Sequence, residues 1–407
     1  MLDYIHYACN SIQVSVIKRF FSLSRRSFLL LGPRGVGKST LIRQQIKFDL
    51  EIDLLKSKYF LPLSANPSLL EDWTSQLKAG SWIYIDEIQK IPALMDEVHS
   101  LYESKKFNFA LSGSSARKLK RGGANLLAGR ALSLQLFPFT YSEYGSIYKL
   151  NQAIHWGSLP QVVTEPDSKI DFLYSYVETY LREELIEEGL IRKLEPFLRV
   201  LQVLGTYNGQ VLNTENIARE SHVGRTTVDK YFAVIEETLI GYRLESLRPG
   251  WNKKEQTHPK FYLFDVGVAR ACAGLLTDEL DPSQLGHSFE ALIVGEVRAY
   301  NSYLKLHKPL FYYKFSGGYE IDLLIECRKK TISNTATYTA IEIKSAKTWD
   351  ARWNKPIFDL QIKSKGKIKR LVGVYRGDKK LQFKNIEVYP AEMFLNLLSQ
   401  GHFFKMP

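Results

Sequence analysis

The stretch SFLLLGPRGVGKST, residues 27 to 40, decides the fold. An apolar run with strand character is followed by Gly32, Gly37, Lys38 and Ser39 in the spacing G-x-x-x-x-G-K-[ST], and then by a helical pattern, LIRQQIKF, residues 41 to 48. Glycines at those positions let backbone N–H groups turn inward around a β-phosphate, a lysine reaches the β and γ oxygens, and a hydroxyl ligates magnesium. The predicted site is Gly32, Pro33, Arg34, Gly35, Val36, Gly37, Lys38, Ser39 and Thr40, with ATP and Mg²⁺ as cofactors. A chance glycine-rich turn would not bring spacing and flanking elements into agreement.

A phosphate loop of this kind predicts a second strand ending in an acid for the metal. SWIYIDEIQK, residues 81 to 90, supplies Asp86 and then Glu87. Asp86 is expected to bind magnesium through water, and Glu87 to polarise the attacking water, which favours hydrolysis over mere binding. An acidic strand end without a role is the alternative. Strand and helix patterns alternate from about 26 to 165, as in a parallel sheet wrapped by helices.

With FALSGSSARKL, residues 109 to 119, and LLAGRALSLQLFPFTYSEY, residues 126 to 144, the chain resembles, over nearly its whole length, AAA-type ATPases of bacteria and archaea that carry a C-terminal domain of formerly unknown function. The resemblance implies that Ser112 occupies the sensor position beside the γ-phosphate, with Ser114 as a rival. It also implies that Arg130 is an arginine finger reaching a neighbouring subunit's nucleotide, so that hydrolysis depends on a homo-oligomer, a hexamer being one form. An ordinary surface arginine is the alternative for Arg130. Arg182, in ETYLREEL, residues 178 to 185, is a candidate second sensor or equally a helix-surface ion pair with Glu183 and Glu184.

Four blocks follow: an ATPase core at 1–165, opened by an amphipathic helix near 11 to 22; a helical lid at 166–195; a winged helix at 196–274; and an α/β domain at 283–407. In the third, LNTENIARESHVGRTTVDKYFAVIEE, residues 212 to 237, reads as helix-turn-helix. Thr214 caps the first helix, HVG makes the turn, and Arg225 opens a second helix with Val228, Phe232 and Ile235 on its apolar face. Residues 239 to 265 read as a β-wing tipped by Lys253 and Lys254. Recognition helices meet DNA through their N-terminal residues, so the expected nucleic-acid contacts are Arg225, Thr226, Thr227, Lys230, Lys253 and Lys254. A module used only for packing is the alternative.

In the last block Glu290 lies in a helical run, Asp322 in YYKFSGGYEIDLLIE, residues 312 to 326, and Glu342 and Lys344 in AIEIKSAK, residues 340 to 347. The side-chain period of two puts Glu342 and Lys344 on one strand face. The E…D…ExK array resembles the restriction-endonuclease-like, PD-(D/E)XK, fold. That likeness implies that Asp322 and Glu342 hold Mg²⁺, that Lys344 positions water and stabilises the phosphorane, and that Glu290 supports the metal shell. Glycines 317 and 318 make the preceding turn. A fold kept for binding alone and a plain cross-strand salt bridge both stay open.

Composition agrees with this reading. Apolar residues are 45% and charged residues 24%, values of a folded globular chain. Net charge is +12, and from Ala351 onward 12 Lys and Arg stand against 4 Asp and Glu, which points to a polyanion partner, DNA first. Three scattered cysteines, Cys9, Cys272 and Cys327, form no metal-binding or disulfide pattern and fit a reducing cytoplasm. MLDYIHYACNSIQVSVIKRF lacks a signal-peptide layout, and no run approaches the roughly 18 apolar residues of a membrane helix, so no membrane partner is expected. The reading is an ATP-hydrolysing machine acting on DNA, with Mg²⁺-dependent cutting as a possible addition. The alternatives are a nucleotide-switched DNA sensor with an idle clamp, and a protein remodeler.

Overall fold

The structure, a computed structural model, describes residues 17–115, 130–181, 193–247, 258–315 and 319–405. Its first sheet is wholly parallel and runs β2 (Leu50–Asp53), β3 (Trp82–Asp86), β4 (Asn108–Gly113), β1 (Phe28–Leu31), β5 (Leu132–Gln135). Every residue of β1 is buried, as expected for an interior strand covered on both faces. Crossover helices include α1 (Lys38–Gln45), α2 (Ser57–Ala65), α3 (Leu69–Thr74) and α4 (Leu94–Lys105). With β4 on one side and β5 on the other, the end of β1 opens into the crevice at the strand termini where doubly wound sheets take ligands. This is the predicted P-loop sheet.

The expected N-terminal helix is absent from its described part, because residues 17–22 are not helical; residues 11–16 lie outside the described set. Arg19 instead enters the interior, donating to the Phe137 carbonyl and pairing with Glu143 at 3.2 Å. Burying an arginine requires such partners. Glu143 also closes a capping box with Thr140 on the short helix α5 (Tyr141–Tyr144).

Beyond α6 (Leu150–Trp156) and α7 (Pro160–Thr164), α8 (Lys169–Ser175) continues into a π-helical turn, Tyr176–Leu181. Arg182 lies outside the described residues. Next come α9 (Leu194–Thr206), α10 (Thr214–Ser221) and α11 (Arg225–Glu237), then the antiparallel pair β6 (Gly241–Leu244) and β7 (Lys260–Leu263). The turn between α10 and α11 puts His222 in the left-handed region at φ 53°. Asn213, not Thr214, caps α10, its Oδ1 accepting from the backbone of Glu215 and Asn216 at 3.0 and 3.2 Å. Asparagine outranks threonine at this position. Val228, Phe232 and Ile235 are buried as expected.

After α12 (Val266–Ala273), the long α13 (Pro282–Tyr303) leads to a mixed sheet in the order β12 (Leu381–Phe383), β13 (Ile386–Pro390), β11 (Ile368–Tyr375), β10 (Thr337–Lys344), β9 (Glu320–Arg328), β8 (Leu310–Lys314). Helices α14 (Asn354–Lys363) and α15 (Ala391–Ser399) complete this part. Helix α13 also reaches back to the segment after β5: Glu296 accepts from Tyr141 N at 2.8 Å, and the Tyr303 hydroxyl accepts from Phe137 N at 3.0 Å.

Candidate functional site

Positive φ at Gly35 (81°) and Gly37 (87°) gives the loop after β1 the curl that a side chain would oppose. Gly32 is required for another reason: a Cβ there would stand 2.5 Å from the Leu136 carbonyl oxygen. Lys38 is buried and donates to the Gly32 and Pro33 carbonyls at 2.8 and 3.1 Å, so its ammonium arches over the loop. Tyr176, which sequence reasoning missed, donates its hydroxyl to the Arg34 carbonyl at 2.8 Å. Thus the segment after α8 holds the loop from the other side. Nothing in the local sequence marks that contact.

Ser39 Oγ donates to Asp86 Oδ2 at 2.7 Å, while Ser112 Oγ donates to Asp86 Oδ1. Ser112 is fully buried and also shares a 3.0 Å hydrogen bond with the Tyr84 hydroxyl. Burial and the neighbouring Asp86 charge hold the Tyr84 phenol well above its ordinary pKa, so it stays protonated. Ser112 therefore supports the acid from beneath. Glu87 sits in the left-handed region at φ 57°, a conformation costing about 1 kcal/mol or more for a residue with a Cβ. Gln89, also missed, donates to both Glu87 Oε2 and Ser114 Oγ, the latter at 3.0 Å. Gly113 makes room for it, since a Cβ there would lie 2.5 Å from Gln89 Oε1. The hard oxygen donors of Ser39 and Asp86 suit magnesium, and the loop's turned amides suit phosphate. Two residues before β5, Arg130 pairs with Glu103 of α4 across a half-exposed surface.

On α11, Arg225, Thr226 and Lys230 are exposed and Thr227 is half-buried; Arg225 also pairs with Glu215 at 2.7 Å. Lys253 and Lys254 lie outside the described residues. The base of the β6–β7 pair is docked rather than free: Leu247 N donates to Tyr312 O at 2.8 Å, and Tyr312 N to Glu245 O at 3.0 Å, joining the pair to β8.

The C-terminal acids gather where β9, β10 and α13 meet. Asp322 Oδ2 accepts from Ile343 N at 2.7 Å, locking that carboxylate against β10. Lys344 Nζ lies 2.6 Å from Glu342 Oε1 and 3.8 Å from Asp322 Oδ2. The carboxylates that converge, with ligand oxygens within 4.8 Å of one another, are Glu290, Glu320 and Asp322. This departs from the expected set, since Glu342 is turned to Lys344 and Glu320 takes its place in the trio. Glu320 shares the strand face of Asp322 two residues on, a signal present in YEID but not used. The larger surprise is Lys260, whose ammonium lies 2.7, 2.9 and 3.6 Å from Glu290, Glu320 and Asp322. The donor set is right for a hard cation, yet a lysine stands in its midst, so the trio as folded does not fit magnesium. Burial pushes the Glu290 carboxyl up to about 7, and burial with the Asp322 charge pushes Glu342 up to about 8. Glycines 317 and 318 lie outside the described residues. No described helix is long and apolar enough to cross a membrane.

Comparison with known proteins bears on the N-terminal part of the chain. Residues 24–145 match the family described as AAA domain, which supports an AAA-type P-loop ATPase. Residues 147–279 and 285–394 match two domains of unknown function, DUF8612 and DUF4143, so neither match carries an activity. An uncharacterized protein of Mycobacterium tuberculosis is 26% identical over 381 residues, covering 90% of this chain and 80% of the relative. An uncharacterized protein of Methanocaldococcus jannaschii is 23% identical over 269 residues, covering 60% of this chain and 58% of its own length. A crystal structure of a Vibrio cholerae protein covers 92% of this chain and 96% of its own at 12% identity, but its TM-score of 0.21 carries no argument.

Proposed function

We propose that this chain is an AAA-type ATPase that hydrolyses ATP to act on DNA, and that its C-terminal domain holds DNA without cutting it. The carrying observation is the hydrogen-bonded line from Ser39 through Asp86 to Ser112 beside the Lys38-spanned loop. Magnesium held by Ser39 and Asp86 would neutralise phosphate charge. Lys38 would exchange its carbonyl partners for β and γ oxygens, and Gln89 would hold Glu87 toward the attacking water. Ser114, through Gln89, is a positioning residue in this scheme, and Ser112 steadies Asp86. Arg130 would leave Glu103 and reach a neighbouring subunit's nucleotide in a homo-oligomer.

DNA as substrate is supported by the net charge of +12 and by the exposed N-terminal turn of α11. We read α10, α11 and the β6–β7 pair as a winged helix contacting DNA through Arg225, Thr226, Thr227 and Lys230, with Lys253 and Lys254 at the wing tip. We read the C-terminal sheet as endonuclease-like in ancestry. The absence of cutting rests on Lys260 within the acid trio.

The test is Mg²⁺-dependent phosphate release with and without duplex, forked and single-stranded DNA, run beside Lys38→Ala. Stimulation by DNA, abolished by Lys38→Ala, is the expected result. Hydrolysis indifferent to every DNA form, with no strand bound, would remove DNA from the proposal and leave a protein client.

A further inference from the structure

Lys260 is 1% exposed and opens β7, a strand outside the C-terminal sheet, yet its ammonium ends among that sheet's acids. It lies 2.7 Å from Glu290 Oε1, 2.9 Å from Glu320 Oε1 and 3.6 Å from Asp322 Oδ1. The first two are charge-assisted hydrogen-bond distances. Its three partners are the same carboxylates whose oxygens converge within 4.8 Å, the arrangement that hard divalent cations use. We propose that Lys260 is the resident cation of this cluster: it shuts out divalent metal, and a latent Mg²⁺- or Mn²⁺-binding site opens only when its ammonium leaves.

Three observations support a built lock over a passing ion pair. Lys260 is held at its backbone from both sides, opposite Leu244 in the β6–β7 register and in an antiparallel bridge with Val211. Two residues further, on the same strand face, Tyr262 donates its hydroxyl to the same Glu290 oxygen at 2.6 Å, so β7 addresses that acid twice. The other lysine of the cluster does not compete, because Lys344 is 2.6 Å from Glu342 and its contact with Asp322 is the longer one, at 3.8 Å.

Charge explains why a divalent ion is the ligand that would follow. Four carboxylates, Glu290, Glu320, Asp322 and Glu342, face two ammonium groups, Lys260 and Lys344. Glu342 Oε2 is buried with no hydrogen-bond partner among the described residues. With all four ionised, the cluster carries two negative charges beyond its two ammonium groups. Magnesium needs oxygens at about 2.0–2.1 Å, a space the ammonium now fills, and two cations so close in a buried site repel strongly. Occupancy is exclusive: lysine or metal.

The test uses the full chain and Mn²⁺ alone, without nucleotide, so it stands apart from the ATPase reading. Electron paramagnetic resonance counts bound Mn²⁺ in the parent, Asp322→Asn, Lys260→Met and the double variant. The parent is expected to hold no Mn²⁺ that Asp322→Asn removes. Lys260→Met is expected to gain one Mn²⁺ per chain, bound at least tenfold more tightly than any in the parent, and the double variant to lose it. Asp322-dependent Mn²⁺ in the parent overturns the proposal, as does a folded Lys260→Met chain that gains none. Lys260→Gln, uncharged, polar and one atom shorter, replaces Lys260→Met if the latter fails to fold. If both fail, Asp322-dependent Mn²⁺ in the parent still overturns the exclusion.

Discussion

Replacing Lys260 by methionine keeps most of the aliphatic stem and removes the ammonium, so the change is chiefly electrostatic. At an effective dielectric of ~20, each of the two shortest contacts is worth roughly 6 kcal/mol gross, most of it cancelled by the cost of dehydrating the ions. Removing one partner of a buried ion pair costs about 3–5 kcal/mol, because the charges left behind are uncompensated. Here Glu290, Glu320 and Asp322 would face one another with Lys344, 3.8 Å from Asp322, as the remaining ammonium among the described residues. The penalty is largest at pH 8 and shrinks toward pH 6, where Glu290, already pushed up to about 7, takes a proton. With a urea slope of about 2 kcal/mol/M the midpoint should fall by ~2 M at pH 8. Tryptophan fluorescence, to which Trp349, buried edge-on against Tyr375 in the C-terminal part, contributes, follows the transition. Lys344→Met, at a side chain 28% exposed, should cost less. If Lys260→Met unfolds at the parent's urea concentration at pH 8, the ammonium is not coupled to the acids and the reasoning fails.

Gln89→Ala should lower the turnover rate of ATP hydrolysis about tenfold with little change in KM, because it releases Glu87 without touching the phosphate loop; steady-state phosphate release at saturating ATP reads this out. The parent should lose stability as pH rises from 5 to 8.5, measured as the thermal midpoint across that range. Glu290 and Glu342 have folded pKa values of about 7 and about 8, raised above their ordinary range, so their contribution is complete at low pH and is lost as pH climbs through those values. Lys260 and Lys344, raised from 10.5, stay charged throughout that window and do not offset the loss. Arg225→Ala and Lys230→Ala should each weaken DNA binding similarly across sequences and reduce the salt slope by about 1, read from affinity at several salt concentrations. An unchanged slope would take α11 off the DNA-contacting surface. Gly267→Ala should destabilise by about 1–3 kcal/mol in thermal unfolding, since its Cβ would stand 2.0 Å from the Trp156 carbonyl oxygen.

Much of the nucleotide site is legible because its parts are local. The stretch from Gly32 to Thr40 is one turn and the first residues of the helix after it, and its glycines are read from spacing alone. Asp86 is found because an acid closing an apolar strand beside that motif has one obvious use. The pairing of Glu342 with Lys344 follows from the two-residue period of a strand. Tyr176 was not legible, since it acts through a contact that only the packing of distant segments creates, and Gln89, though two residues from Glu87, meets Ser114 only in the folded chain. Arg19 misled for a related reason. Its neighbourhood reads as an amphipathic helix, but residues 17–22 are not helical and Arg19 turns inward to Glu143 and the Phe137 carbonyl.

The amino-acid sequence by itself determined the phosphate loop, the acid that follows it, the helix-turn-helix spacing and the strand-borne carboxylates, because each depends on backbone geometry within a few residues. Tertiary structure alone decided what the carboxylates hold. Lys260 opens an apolar run and carries no local mark of its role, while Glu290, Glu320 and Asp322 look like metal ligands until β7 is laid against them. A carboxylate cluster shows that a cation is required, and only the fold shows whether the chain supplies its own.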